Sequence, residues 1–191
     1  MTVENPYFEE VAGGITVGAN RASWDERAIE VLEQREDLVQ EYAWAIPNEE
    51  AIETVAEYAP IVEVGAGAGS WAWCVEQLDA RIVATDPEPP RNDTYTEIIT
   101  KTATEAIECA REIFVDGYTL FLCWPPYADP MAADAVDAFE GDTLIYVGEG
   151  RGGCTGNERF HRLLHQEWEL TETVAIPTYL GIHDRLEVWS R

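Results

Sequence analysis

The apolar run Ile61-Val62-Glu63-Val64 closes on Gly65-Ala66-Gly67-Ala68-Gly69, and a second run, Ile82-Val83-Ala84-Thr85, closes on Asp86 seventeen residues after Gly69. A short apolar run broken by alternate glycines predicts a buried strand that feeds a tight turn and then a helix. Glycine lets the backbone approach a ligand closely, and the following helix offers free N–H groups at its start. An acid at the tip of the next strand is placed to accept hydrogen bonds from a ribose diol. The combination describes a pocket for an adenosine-type cofactor.

Spacing separates the candidate cofactors. The dinucleotide fingerprint is Gly-x-Gly-x-x-Gly. Counted from Gly65 its third glycine falls on Ser70, and counted from Gly67 it falls on Ala72. Neither fits NAD. Glu63, just before the turn, repels a pyrophosphate and suits a cation. The pattern resembles motif I of the class I S-adenosylmethionine (SAM) methyltransferases. That resemblance implies that Gly65, Ala66, Gly67 and Gly69 admit SAM and that Glu63 lies near its amino-acid end. Asp86, followed by Pro87, stands where the family holds the ribose. Thr102-Ala103 stands where the family often has an acid followed by Ala at the adenine, with Thr102 in place of the acid.

Along the chain, strands are expected at about 61–65, 81–86, 96–100, 118–123, 143–148, 169–176 and 184–190. Helices are expected at about 69–78, 103–114, 130–139 and 157–166. Such alternation means a mainly parallel sheet with helices on both faces. The last two strands are joined by residues 177–183 alone, too few for a crossover, so they form an antiparallel hairpin. The fold class expected is therefore α/β: seven strands, mainly parallel, with a C-terminal antiparallel hairpin, as in the Rossmann-like methyltransferase fold. Ahead of this core (59–191) lies a segment of 1–58, read as an arm and helical cap. Residues 1–20 show no period and read as an irregular arm or lid. Ser23-Trp24-Asp25-Glu26 reads as a capping box opening one helix to about Trp44, with Trp24, Ala28, Val31, Leu32, Leu38, Val39 and Tyr42 near one face. Asn48 caps a second helix, and Pro60 stops it. The prolines in Pro87-Glu88-Pro89-Pro90 forbid or shorten a helix after the second strand.

In open parallel sheets ligands bind beyond the carboxyl ends of the strands, which selects a few loops. Cys123-Trp124-Pro125-Pro126-Tyr127 resembles motif IV of the amino-methyltransferases, written Asn/Asp/Ser-Pro-Pro-Tyr/Phe. The resemblance places Trp124, Pro125, Pro126 and Tyr127 at the acceptor. An indole donates one hydrogen bond and accepts none, so Trp124 cannot receive a target amine as the usual first residue does. The next loop, 148–156, carries five glycines. In it Glu149 reads as a base or polar anchor, and Arg151 as an anchor for a carboxylate or phosphate. A Glu149–Arg151 surface ion pair is the plainer alternative. Tyr179 and His183 in the hairpin loop could flank the substrate, with Asp184 orienting the imidazole. His161 and His165 have metal-compatible spacing, but without a third ligand no metal is expected. The segment Tyr42–Pro47 could cover the methionine end of the pocket or simply pack at a helix end.

The sequence therefore reads as a SAM-dependent methyltransferase whose acceptor is a small molecule. The alternatives are an amino-methyltransferase of DNA or RNA bases and a non-enzymatic SAM-binding protein. No apolar run spans a bilayer and no secretory signal is evident, so a cytoplasmic protein without a membrane partner is expected. The cysteines (74, 109, 123 and 154) form no Cys-x-x-Cys pair and read as buried or half-buried thiols in a reducing compartment. Asp and Glu number 37 against 12 Lys and Arg, a formal charge of −25, and Lys101 is the only lysine. No basic stripe offers itself to nucleic acid. A folded domain this acidic repels itself, and molar salt shortens the Debye length to about 3 Å and screens the repulsion. An intracellular protein of an extreme halophile is the expectation. Thermal unfolding followed by circular dichroism should shift to higher temperature as potassium chloride rises to molar levels. A melting curve indifferent to salt would contradict this reading of the charge.

Overall fold

The computed structural model describes residues 3–18, 24–90 and 93–191. Seven strands form one sheet: β1 (Ile61–Val64), β2 (Ile82–Asp86), β3 (Ile98–Thr100), β4 (Thr119–Cys123), β5 (Thr143–Gly148), β6 (Glu169–Ala175) and β7 (Arg185–Ser190), in the order β3-β2-β1-β4-β5-β7-β6. The pairs β1–β2, β1–β4, β2–β3 and β4–β5 are parallel, while β7 lies antiparallel to both β5 and β6. The seven strands and four core helices lie within two residues of the expected bounds.

Alternation along each strand sends neighbouring residues to opposite faces. Val62, Val64, Leu120, Leu122, Leu144 and Tyr146 pack against α6 (Ala103–Ile113), α7 (Met131–Ala138) and α8 (Glu158–Glu167). On the opposite face Ile61, Phe121, Ile145, Val147, Leu186 and Val188 meet α4 (Glu49–Glu57) and α5 (Ser70–Glu76). With both faces covered, the central strands read as continuous apolar runs rather than alternating ones. All four residues of β1 are buried, Glu63 among them.

Three more helices, α1 (Pro6–Val11), α2 (Glu26–Glu33) and α3 (Arg35–Glu41), build a smaller core from Tyr7, Val11, Ile15, Val31, Leu38, Tyr42, Ile46 and Tyr179. Here the structure corrects several expectations. The N-terminal stretch holds a helix, capped by Asn5, whose side-chain oxygen accepts from Phe8 N–H at 3.0 Å. It is six residues long, too short to show a period, and Tyr7 stacks on Tyr42 with centroids 4.8 Å apart. The expected cap Ser23 lies outside the described residues; Asp25 caps α2, accepting from Ala28 N–H at 3.0 Å. The expected single helix is two, parted at Gln34, and Trp44 stands beyond the second. Trp24 is 73% exposed and does not join the buried face. Asn48 caps α4 as expected, accepting from Ala51 N–H at 3.1 Å. Among the described residues no helix stands between β2 and β3. Cys74 is buried and Cys109 and Cys123 are half-buried, but Cys154 is exposed, contrary to expectation.

Phe121 is fully buried and meets Trp71 edge-on at 5.6 Å. Phe121→Ala should cost about 3–5 kcal/mol of stability through lost transfer energy and the cavity left behind. Denaturant melts at fixed high salt would show it, and a loss below about 1 kcal/mol would mean this face of the core repacks.

Candidate functional site

The turn after β1 places all three glycines in the left-handed region: φ is 82° at Gly65, 56° at Gly67 and 79° at Gly69. A side chain is strained in such a conformation. A Cβ on Gly65 would also stand 2.8 Å from Met131 Cε, whereas one on Gly67 would meet open space. The turn is tied to β2, since the N–H groups of Gly65 and Ala66 both donate to Thr85 O, at 2.8 and 2.9 Å. Asp86 accepts from Gly67 N–H at 2.9 Å through Oδ2 and from Glu88 N–H at 2.8 Å through Oδ1. Each carboxylate oxygen keeps a second lone pair.

The helix that follows anchors the segment above it. Ser70 Oγ donates to Tyr42 O at 2.9 Å, and Trp71 Nε1 donates to Ala45 O at 3.0 Å. Tyr42, Ala43 and Trp44 thereby roof a cavity of about 210 Å³, whose floor includes Glu63, Gly65, Ala66, Gly67, Ala68, Asp86 and Cys123. A wider groove of about 650 Å³ shares Gln40 and Pro90 with it and runs to Tyr95.

Glu63 is 1% exposed, and its Oε2 has no hydrogen-bond partner among the described residues. Burial pushes its carboxyl up to about 8, against a lowering by Ala72 N–H in the first turn of α5; the nearby Asp86 adds to the rise. A cation placed beside such a buried acid would lower its pKa and favour the charged carboxylate.

The remaining candidates divide. Pro87 lies outside the lining of the cavity. Thr102 caps α6 in a capping box with Glu105, and Ala103 is buried in the core beneath that helix. Neither lines the cavity. Tyr127 is 70% exposed. Pro125 and Pro126 are clamped from the next loop: Gly156 N–H donates to Pro125 O at 2.8 Å, and Pro126 bridges Thr155. Glu149 is buried, and its oxygens accept from Cys154 N–H at 2.8 Å and His183 N–H at 3.1 Å. Burial raises that carboxyl, but these N–H groups outweigh it and hold it below its ordinary value. Glu149 thus ties two loops together. Arg151 pairs with Glu158, not with Glu149 as the plainer alternative had it. Tyr179 is buried, its hydroxyl 2.9 Å from that of Tyr7. The His183 side chain is 82% exposed, with Nδ1 3.5 Å from Glu149. Asp184 does not orient it; its Oδ2 accepts from Trp124 Nε1 at 2.8 Å. His161 reaches Thr155 O at 2.8 Å, and His165 packs edge-on to Trp189.

Trp124 has φ 51° and stacks on Trp44, with centroids 4.7 Å apart and planes 11° from parallel. Arg35 lies over both rings and over Tyr179. Sequence reasoning missed Arg35, since nothing distinguishes it within an acidic amphipathic helix. Asp184 was legible only as the neighbour expected to orient His183, not as an acceptor for Trp124.

No protein-family model matches the chain, and no curated protein matches its sequence. Among solved structures it is similar to magnesium protoporphyrin IX methyltransferase from Synechocystis with bound SAH (10% identity, 97% of this chain and 93% of that one, TM-score 0.47). It is also similar to 1,6-didemethyltoxoflavin-N1-methyltransferase from Burkholderia thailandensis (15%, 93% and 94%, TM-score 0.48). A third is an O-methyltransferase family protein of the same organism (12%, 88% and 60%, TM-score 0.45). At these identities and TM-scores, the substrates and ligands remain properties of those proteins.

A carboxyl whose folded pKa is raised destabilises the fold increasingly as pH climbs from its unfolded value toward its folded one. Glu63→Gln should therefore stabilise the ligand-free protein, with a gain that grows between about pH 4.5 and 8 and levels off above, reaching a few kcal/mol. Thermal melts of both proteins across this range test it. A variant no more stable than its parent at pH 8 would contradict a buried, unpaired Glu63.

Proposed function

We propose that the protein is a SAM-dependent methyltransferase acting on a small molecule. The observation that carries this reading is the buried Glu63 carboxyl, whose Oε2 has no partner among the described residues, at the floor of a cavity formed by the left-handed glycine turn and Asp86. An anionic cofactor is ill suited to that floor, and a cofactor with an ammonium and a ribose suits it. Glu63 receives the ammonium of the amino-acid end. Asp86, with its free lone pairs, receives the ribose hydroxyls. Gly67, whose missing side chain leaves open space, lets the backbone come close. The groove toward Tyr95 gives room for the base.

SAM supplies a methyl group already activated by its sulfonium. The chain's own work is then alignment and exclusion of water, and alignment alone can remove roughly 7–11 kcal/mol of barrier. Trp44 roofs the cavity, and Cys123, next to Trp124, lines it. Glu149 acts as a loop clamp in this reading rather than as a base, because both its oxygens are already bonded and its pKa is lowered. A small acceptor is supported by the net charge of −25 and by Trp124, whose single donor is spent on Asp184.

Calorimetry with SAM in molar potassium chloride tests the cofactor. Asp86→Ala should weaken binding roughly tenfold or more, about 1.4 kcal/mol for charge-assisted bonds lost. Unchanged affinity would refute the ribose assignment, and no binding to the parent protein would refute the methyltransferase reading.

A further inference from the structure

Beside the cavity stands a cluster whose polar groups are left unfinished. Arg35 lies 5.1 Å from the Trp44 ring centroid, 5.7 Å from that of Trp124 and 5.3 Å from that of Tyr179. Asp184, 8% exposed, binds the edge of the Trp124 ring. Arg35 Nε and Asp184 Oδ1 are both buried without a hydrogen-bond partner among the described residues, and no hydrogen bond or ion pair joins them. An unmet donor or acceptor of this kind is costly, because it loses water without gaining a partner. Trp124 adds to this cost, because its φ of 51° is left-handed, which a bulky residue rarely adopts.

Two unmet groups of opposite kind on one aromatic cluster describe a ligand. Asp184 needs a donor and Arg35 needs an acceptor. The two indoles cover each other's facing sides, which leaves the exposed side of Trp44 to favour a flat partner. Trp44 is 42% exposed and also roofs the cavity over Glu63, so its ring stands between that cavity and the cluster. Asp184 also borders a groove of about 580 Å³ along the hairpin loop, which offers a way in. Burial raises the Asp184 carboxyl to about 6; Trp124 Nε1–H and then Arg35 and His183 oppose the rise, and Glu149 adds to it. Near neutral pH it is thus largely a hydrogen-bond acceptor.

We propose that Arg35, Trp44, Trp124 and Asp184 form the acceptor site, and that the acceptor is a small planar molecule carrying an N–H donor beside a carbonyl acceptor, a heteroaromatic lactam or amide. Asp184 accepts its N–H, Arg35 donates to its carbonyl, and the exposed Trp44 indole meets its plane. That this ligand is the methyl acceptor rests on the methyltransferase reading; that the cluster binds such a ring does not.

The test uses the full chain in molar potassium chloride with SAH present, and 2-quinolone and N-methyl-2-quinolone as probes followed by ligand-detected NMR. The lactam should bind, and the N-methyl compound, which lacks the donor, should bind roughly tenfold or more weakly. Asp184→Asn and Arg35→Gln should each weaken the lactam by a similar factor while SAH affinity, measured by calorimetry, stays within about twofold. Equal binding of the two probes, or no binding of the lactam to the parent protein, would overturn the site without involving any variant. Binding of a single-stranded oligonucleotide but not of the free ring would overturn it in favour of a nucleic-acid acceptor. SAH binding without lactam binding sinks this site and spares the cofactor reading; lactam binding without SAH binding does the reverse.

Discussion

Three left-handed glycines within five residues, at the carboxyl end of β1, are the constraint on which the rest of the site depends. They reverse the chain sharply enough for α5 to begin at Ser70. The turn's N–H groups are held by Thr85 and Asp86 at the tip of β2. The start of α5 then holds the segment 42–45 through Ser70 and Trp71, and that segment is the roof. Floor, wall and roof are therefore built outward from one turn. A side chain at Gly65 would strain the backbone and push aside the flexible end of Met131.

Three of the four buried side-chain polar atoms without partners among the described residues belong to Glu63, Arg35 and Asp184, around this site. Native structures satisfy nearly all such groups, so their gathering in one place marks a region where stability is sacrificed. Three buried carboxyls show the distinction. Glu63 and Asp184 are lifted because burial outweighs the donors near them. Glu149 is lowered because two loops aim backbone N–H groups at it. The first two remain open to a ligand, and the third holds the scaffold.

The sheet and core helices were legible because burial on both faces leaves long apolar runs separated by Gly, Pro and caps. The glycine turn and Asp86 were legible for the same local reason, since spacing along one chain fixes where they stand. The N-terminal region was less so. α1 is held by long-range contacts, Tyr7 to Tyr42 and Tyr179, which no period reveals, and the break at Gln34 leaves an amphipathic pattern almost continuous. The outer site residues were the hardest to assign. Arg151 had several acids within reach and pairs with Glu158, while Asp184 turned to an indole sixty residues away instead of its neighbour His183. Such choices belong to tertiary packing.

The place of β7 between β5 and β6 has a consequence for how the protein is made. Until residues 185–190 leave the ribosome, β5 ends the growing sheet as an open edge and β6 has no strand to pair with. Leu186 and Val188 are likewise missing from the core beneath α4 and α5. The nascent chain must therefore carry an unpaired edge and a half-covered apolar face through synthesis of the preceding forty residues or so, a state prone to sticking to other chains.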